Sequence, residues 1–144
     1  MNNNNFHRTI KVNASPAEAM KKISQVNGWW AKNFSGSADK LNDKFTVNFG
    51  NTFVDFQISE CVPCKKIAWK VIDCNLDWIN NKKEWNGTEV VFEISEKEQA
   101  TQIDFTHIGL VPEAECYADC EVGWNGHITK SLVSFINQGK GMPE

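Results

Sequence analysis

The sequence predicts an α+β domain in which a curved antiparallel sheet packs around one long C-terminal helix. Three observations carry that expectation. Short segments between Lys44 and His107 alternate apolar and polar residues with period two, as a sheet with one buried face and one wet face requires. Beyond Pro112 the apolar residues recur at helical spacing instead. The order is also segregated: a strand and short helices, then a run of strands, then the long helix. Such an order argues for α+β rather than alternating α/β.

The first strand is expected over Phe6 to Asn13, where Phe6, Arg8, Ile10 and Val12 alternate only in part. Ser15-Pro16-Ala17-Glu18 then supplies an N-cap serine, a proline at the first helical position and a glutamate three residues after the cap. A short helix should run from Pro16 to about Gln25, followed by a second helical turn at Gly28 to Ala31. Strands are expected at Lys44–Phe49, Thr52–Glu60, Lys65–Asp73, Thr88–Ser95 and Thr101–His107. Their inward sets include Phe45 and Val47, Phe56 and Ile58, Ile67 and Trp69, Val90 and Phe92, and Ile103 and Phe105. Val62-Pro63, Asn86-Gly87 and Glu96-Lys97-Glu98 read as turns. Asn75 to Lys83 reads either as a loop or as a ragged edge strand. Tyr117, Cys120, Trp124, Ile128, Leu132 and Phe135 mark the last helix through about Gln138, with Gly139, Gly141 and Pro143 ending it. Some 25 residues span roughly 38 Å, enough to cross a sheet.

The 144 residues fit one domain, 1–144, with residues 1–5 read as a frayed asparagine-rich end. Apolar residues at 41% and charged residues at 23% describe a globular chain. A formal charge of −3 with no basic run longer than a lysine pair gives no footprint for nucleic acid. The N-terminus has no apolar signal region, and no stretch reaches the roughly 18 apolar residues of a membrane span. A cytoplasmic location, as a monomer or homodimer, is the expectation. Five cysteines, an odd number in a chain long enough to fold without staples, are expected to be reduced thiols.

The opening strand with Ser15-Pro16-Ala17-Glu18, Trp29-Trp30, Ile67 to Val71 around Trp69, Glu84-Trp85-Asn86-Gly87-Thr88, Thr106-His107-Ile108-Gly109-Leu110, and Gly123-Trp124 with Ser131-Leu132 together carry a resemblance. The chain resembles the START-like, or SRPBCC, superfamily with its helix-grip fold. More closely, it is similar to small bacterial proteins related to the C-terminal domain of heat-shock chaperone ATPase activators. The resemblance implies an apolar cavity between the sheet and the final helix, which relatives use for lipids, sterols, polyketides and other apolar molecules. The eukaryotic activators carry a separate N-terminal domain, for which this chain has no room. That weighs against chaperone activation.

Within such a cavity Phe56, Trp69, Phe92, Phe105, Trp124 and Ile128 are the expected walls, with His107, Tyr117 and Glu121 as polar contacts. At 100° per residue Glu121 shares the stripe of Tyr117, Trp124 and Ile128. A carboxylate there must be paired, neutral or wet, and could serve as acid, base or ligand anchor. The plainer alternative puts it at the stripe's edge, in solvent or beside a nearby lysine. His107 has the inward parity of Ile103 and Phe105; it is either a ligand contact or a satisfied structural histidine. Gly123 and Gly126 interrupt the helix, at about 1 kcal/mol each, either for close packing or beside free space. Cys61-Val62-Pro63-Cys64 and the Cys116/Cys120 pair have no pattern that brings them together, so no metal and no cofactor are expected. No catalytic triad order, phosphate loop or H-E-x-x-H occurs. The functional expectation is binding of a small apolar ligand. The alternatives are an enzyme (cyclase, dehydratase or hydrolase) using the same cavity, and a chaperone-associated interaction module.

Overall fold

The computed structural model describes residues 4–144. Most of the expected frayed end, residues 1–3, lies outside the described residues, whereas Asn5 is held by a bond from the Gly109 amide to its Oδ1 at 3.0 Å. In chain order the elements are β1 (Phe6–Val12), α1 (Pro16–Ser24), α2 (Val26–Trp29), β2 (Asn33–Gly36), β3 (Lys44–Phe49), β4 (Thr52–Val62), β5 (Lys66–Asn75), β6 (Glu89–Lys97) and β7 (Ala100–Ile108). One continuous helix follows over 117–138, made of α3 (Tyr117–Trp124), a π-helical stretch (Asn125–Leu132) and α4 (Val133–Gln138). The expected α+β helix-grip architecture is the one observed.

The seven strands form one antiparallel sheet in the order β1-β7-β6-β5-β4-β3-β2. Strands β2 to β7 run as a meander. Strand β1 joins its far edge, with Phe6 opposite His107 and Ile10 opposite Ile103. The two short helices therefore carry the chain from one edge of the sheet to the other. Period two does what it promised: Phe45, Val47, Phe56, Ile58, Ile67, Trp69, Phe92, Ile103 and Phe105 are all buried, on the face that receives the long helix. The register between β4 and β5 shifts at Asp55/Phe56 and again at Ile58/Glu60. Such irregularities bend and twist a sheet, which suits one that must curl around a helix.

Local chemistry sets the helix ends. The Ser15 hydroxyl accepts the Glu18 amide proton at 3.1 Å and Pro16 opens α1, which satisfies one of the donors that a helix start leaves unpaired. Gly139, with φ +76°, closes α4 by donating its N–H to Phe135 O at 2.9 Å. Helix α2 lies so close to the long helix that a Cβ on Gly28 would come within 2.4 Å of the Phe135 ring. The Ser131 hydroxyl donates to Trp29 O at 2.6 Å and accepts from the Met142 amide at 2.7 Å, tying α2, the helix and the C-terminal segment together.

Three details differ from the sequence reading. The short edge strand β2 was not expected, because four mostly exposed residues carry no alternation. The second helical turn falls at Val26–Trp29, two residues before the expected place. Strand β5 runs on to Asn75, and the residues after it form a turn-rich loop that reaches β6. Among the described residues no helix is long and apolar enough to cross a membrane.

Candidate functional site

The middle of the sheet–helix interface is filled by the protein itself. Phe56, Trp69, Phe92, Phe105 and Ile128 are fully buried, and the four aromatic rings lie against one another. Trp69 contacts Phe56 at 5.4 Å and Phe92 at 4.9 Å, and Phe105 lies 4.7 Å from Trp124. The tryptophans delivered by α2 occupy the space above them: Trp30 stacks on Trp69 at 6.1 Å and Trp29 does so at 6.3 Å. These rings are core. The Trp69 indole N–H is buried without a hydrogen-bond partner, a cost of about 1–3 kcal/mol that the surrounding aromatic packing offsets.

His107 belongs to this core as a structural pin. It is 0% exposed. Trp124 Nε1 donates to its Nδ1 at 3.1 Å, so Nε2 carries the proton and donates to Thr88 Oγ1 at 2.9 Å. Thr88 in turn donates to Trp85 O at 2.7 Å. Burial pushes the His107 pKa from 6.5 down to about 3, so the imidazole stays neutral. Trp85 lies edge-on to His107 at 4.6 Å and stacks on Trp124 at 6.0 Å and 9°. His107 thus sets the positions of two indoles from behind. Gly109 makes this possible: its φ is +101°, and a Cβ there would sit 2.7 Å from Thr88 Cγ2.

Glu121 faces elsewhere. It is 40% exposed and lies 3.5 Å from Arg8 Nη2 on β1. Arg8 also donates to Asn125 Oδ1 at 2.6 Å and covers the Phe6 ring at 4.4 Å. The carboxylate at the edge of the helical stripe is therefore met by a cation from the neighbouring strand. Tyr117 is half-buried on the flank of the core.

The free space lies to one side, at the end of the sheet where β3, β4 and the long loop 76–88 meet the helix. A pocket of about 350 Å³ opens there. Of the nine side chains expected to line a cavity, only Trp124 does so. Trp30, Trp85 and Trp124 supply aromatic wall. Phe49, Val54 and Leu76 close the sheet side, and Trp78, at 48% exposure, stands at the mouth. Asp119, Cys120, Gly123 and His127 come from the helix, and Glu144 from the C-terminal segment. A Cβ built on Gly123 or Gly126 meets nothing within 4 Å. The two helical glycines therefore border open space rather than a close contact. The π-helical stretch begins one residue after Trp124, and such widened turns occur often at functional sites.

The loop that forms the outer wall is held by carboxylates used as backbone clasps. Glu84 accepts the amide protons of Glu115 and Cys116 at 2.7 and 3.0 Å, just before α3 begins. In return Glu115 accepts those of Asn80 and Asn81 at 2.8 and 2.9 Å. Those two bonds hold the Glu115 carboxyl below the usual carboxylate range. Trp78 Nε1 donates to Asp119 Oδ2 at 3.0 Å, and Trp85 Nε1 to Cys116 Sγ at 3.3 Å. A side-chain hydrogen bond with the free thiol of Cys116, together with burial, pushes the Cys120 thiol up, so it lines the pocket in neutral form. Burial holds His127 below its ordinary value, although Glu144, 3.9 Å away, acts to raise it.

Sequence reasoning missed Asp119, His127 and Glu144, and among the six tryptophans it favoured Trp69 and Trp124 over Trp30, Trp78 and Trp85. One signal could have found part of this wall: a loop of a dozen residues carrying two tryptophans is long for a connection between strands of a compact domain. Among the described residues no three His, Cys, Asp or Glu side chains are grouped so as to hold a metal.

Residues 18–137 match the family model described as Activator of Hsp90 ATPase homolog 1-like protein. The solution structure of the Aha1 dimer from Colwellia psychrerythraea is similar, with 24% identity and a TM-score of 0.77, covering 95% of this chain and 98% of that one. CalU16 from Micromonospora echinospora is 18% identical with a TM-score of 0.69, covering 96% of this chain and 76% of that one. DynU16, a protein in the dynemicin biosynthetic locus, is 15% identical with a TM-score of 0.69, covering 97% of this chain and 49% of that one. At these identities the likeness is one of fold. No curated protein matches the chain.

Proposed function

The chain belongs to the family of Activator of Hsp90 ATPase homolog 1-like proteins, and from that premise we propose that it binds a small, largely apolar molecule in the pocket between sheet, loop 76–88 and long helix. The observation that carries this reading is the pocket of about 350 Å³ walled by Trp30, Trp85 and Trp124 with Trp78 at its mouth. Its volume lies within the usual range for small-molecule sites, and its chemistry, apolar walls with a few polar groups, is the usual one. Gly123, which lines the pocket and borders open space at a cost of about 1 kcal/mol against alanine, supports a cavity that is kept rather than left over. The placement of DynU16 in a biosynthetic locus agrees with an organic ligand.

Binding is favoured over catalysis because the groups on which an acid–base reading rested are committed elsewhere. His107 is buried and neutral, with both ring nitrogens bonded. Glu121 pairs with Arg8 outside the pocket. Native mass spectrometry of freshly purified protein, set against its denatured mass, tests the reading together with tryptophan emission during titration with lipids and aromatic compounds. A stoichiometric added mass, or a saturable emission change, is the expected result. A bare mass combined with unchanged emission across both ligand classes would refute it.

A further inference from the structure

The charge at the pocket mouth narrows the ligand class. Among the described residues two carboxylates, Asp119 and Glu144, line the pocket, and no lysine or arginine does. Both side chains are exposed, so they stand at the opening rather than in the wall. Neither forms an ion pair with a lysine or arginine among the described residues; the nearest cationic candidate for Glu144 is His127, 3.9 Å away. Burial keeps His127 on the neutral side. Among the described residues Asp119 accepts one bond, from the Trp78 indole N–H, which leaves its other oxygen for a cation. Trp30, Trp78, Trp85 and Trp124 line the same pocket, and indoles attract cations more strongly than the other aromatic rings do.

We infer that the pocket takes an organic cation: an ammonium-bearing molecule whose apolar body lies against Trp30, Trp85 and Trp124 and whose charge sits at Asp119, Glu144 and Trp78. This rests on the binding reading above and adds the sign of the ligand's charge. An anionic amphiphile such as a fatty acid meets two carboxylates at the entrance and no cation inside, so the site disfavours it.

A matched pair of probes tests the inference: benzyltrimethylammonium, and neopentylbenzene, in which a carbon replaces the charged nitrogen at nearly equal shape. Each is titrated into the full chain and followed by tryptophan emission and by NMR shifts of indole N–H groups. The expected result is about tenfold tighter binding of the cation, shrinking as salt rises. The doubly substituted Asp119→Asn, Glu144→Gln protein should bring the affinity ratio of the two probes to within about threefold. Equal affinities in the unsubstituted protein would overturn the charge inference while leaving an apolar pocket in place. A preference that survives the double substitution would overturn the assignment to these carboxylates. If neither probe binds while the native mass or the lipid and aromatic titrations show an occupant, this inference falls and the binding reading stands.

Discussion

Lowering the pH should destabilise this protein through His107. In the folded chain burial holds its pKa at about 3, against 6.5 for an unperturbed histidine. Between those values the unfolded chain binds a proton that the folded chain refuses, so acid favours unfolding. The contribution is complete above about pH 6.5 and is lost as pH falls toward 3, at about 1.4 kcal/mol per unit. At about pH 5 the loss is about 2 kcal/mol, a large part of the 5–15 kcal/mol that holds a typical domain together. The assay is urea unfolding followed by tryptophan emission at about pH 7.5, 6 and 5, on the natural chain and on His107→Asn. Asparagine does not titrate, and its amide oxygen can still accept the Trp124 indole proton. It gives up the bond to Thr88 and some packing, so the variant should be less stable at neutral pH by about 1–3 kcal/mol. The informative quantity is the difference in slope, since His127 and the carboxylates remain in both proteins. The gap between the two proteins should close by about 2 kcal/mol on going from pH 7.5 to pH 5. Parallel pH dependences would refute the argument that His107 is buried as a neutral ring.

Other outcomes follow from the same geometry. Gly123→Ala should raise stability by about 0.5–1 kcal/mol in a thermal melt, because the added Cβ meets nothing within 4 Å and the helix loses a poor helix former. Gly123→Leu should instead occupy the pocket and abolish the emission response to added ligands while the circular dichroism spectrum stays native. Gly109→Ala should cost about 1–3 kcal/mol in urea unfolding, since φ is +101° and the new methyl lies 2.7 Å from Thr88 Cγ2. For Glu115 the folded pKa is depressed, so the clasp on Asn80 and Asn81 is complete above the ordinary glutamate value and is lost as pH falls through the folded one. Amide protection factors at Asn80 and Asn81 should therefore drop in acid, and should be low at neutral pH in Glu115→Gln.

Much of the fold was legible in the chain because the cues are local. Period two marked Lys44–Phe49 to the residue, and Ser15-Pro16 with Glu18 marked the start of α1. The switch to helical spacing marked the last helix, and Gly139 its end. Strand β2 was not legible: its pairing comes from Phe34 lying opposite Val47 at a sheet edge, not from any pattern of its own.

The site follows the same division. That the inward faces are aromatic, and that a helix lies across them, was set by residue type and period. Where empty space remains was decided only in three dimensions. Trp29 and Trp30 are neighbours in sequence, yet the path of α2 sends both rings over Trp69, which fills the centre and leaves the pocket at the side. The helix's rotation on the sheet, fixed by Trp124 against Phe105 and Trp30, sends Glu121 to Arg8 and Asp119 to the pocket mouth. Residues two positions apart on a helix, as Asp119 and Glu121 are, differ by about 200° in direction, so the pattern of the stripe named a carboxylate on the wrong flank. Periodicity reports which face of an element is buried. It does not report what is packed against that face, and close packing of large side chains is what determines where a ligand has room.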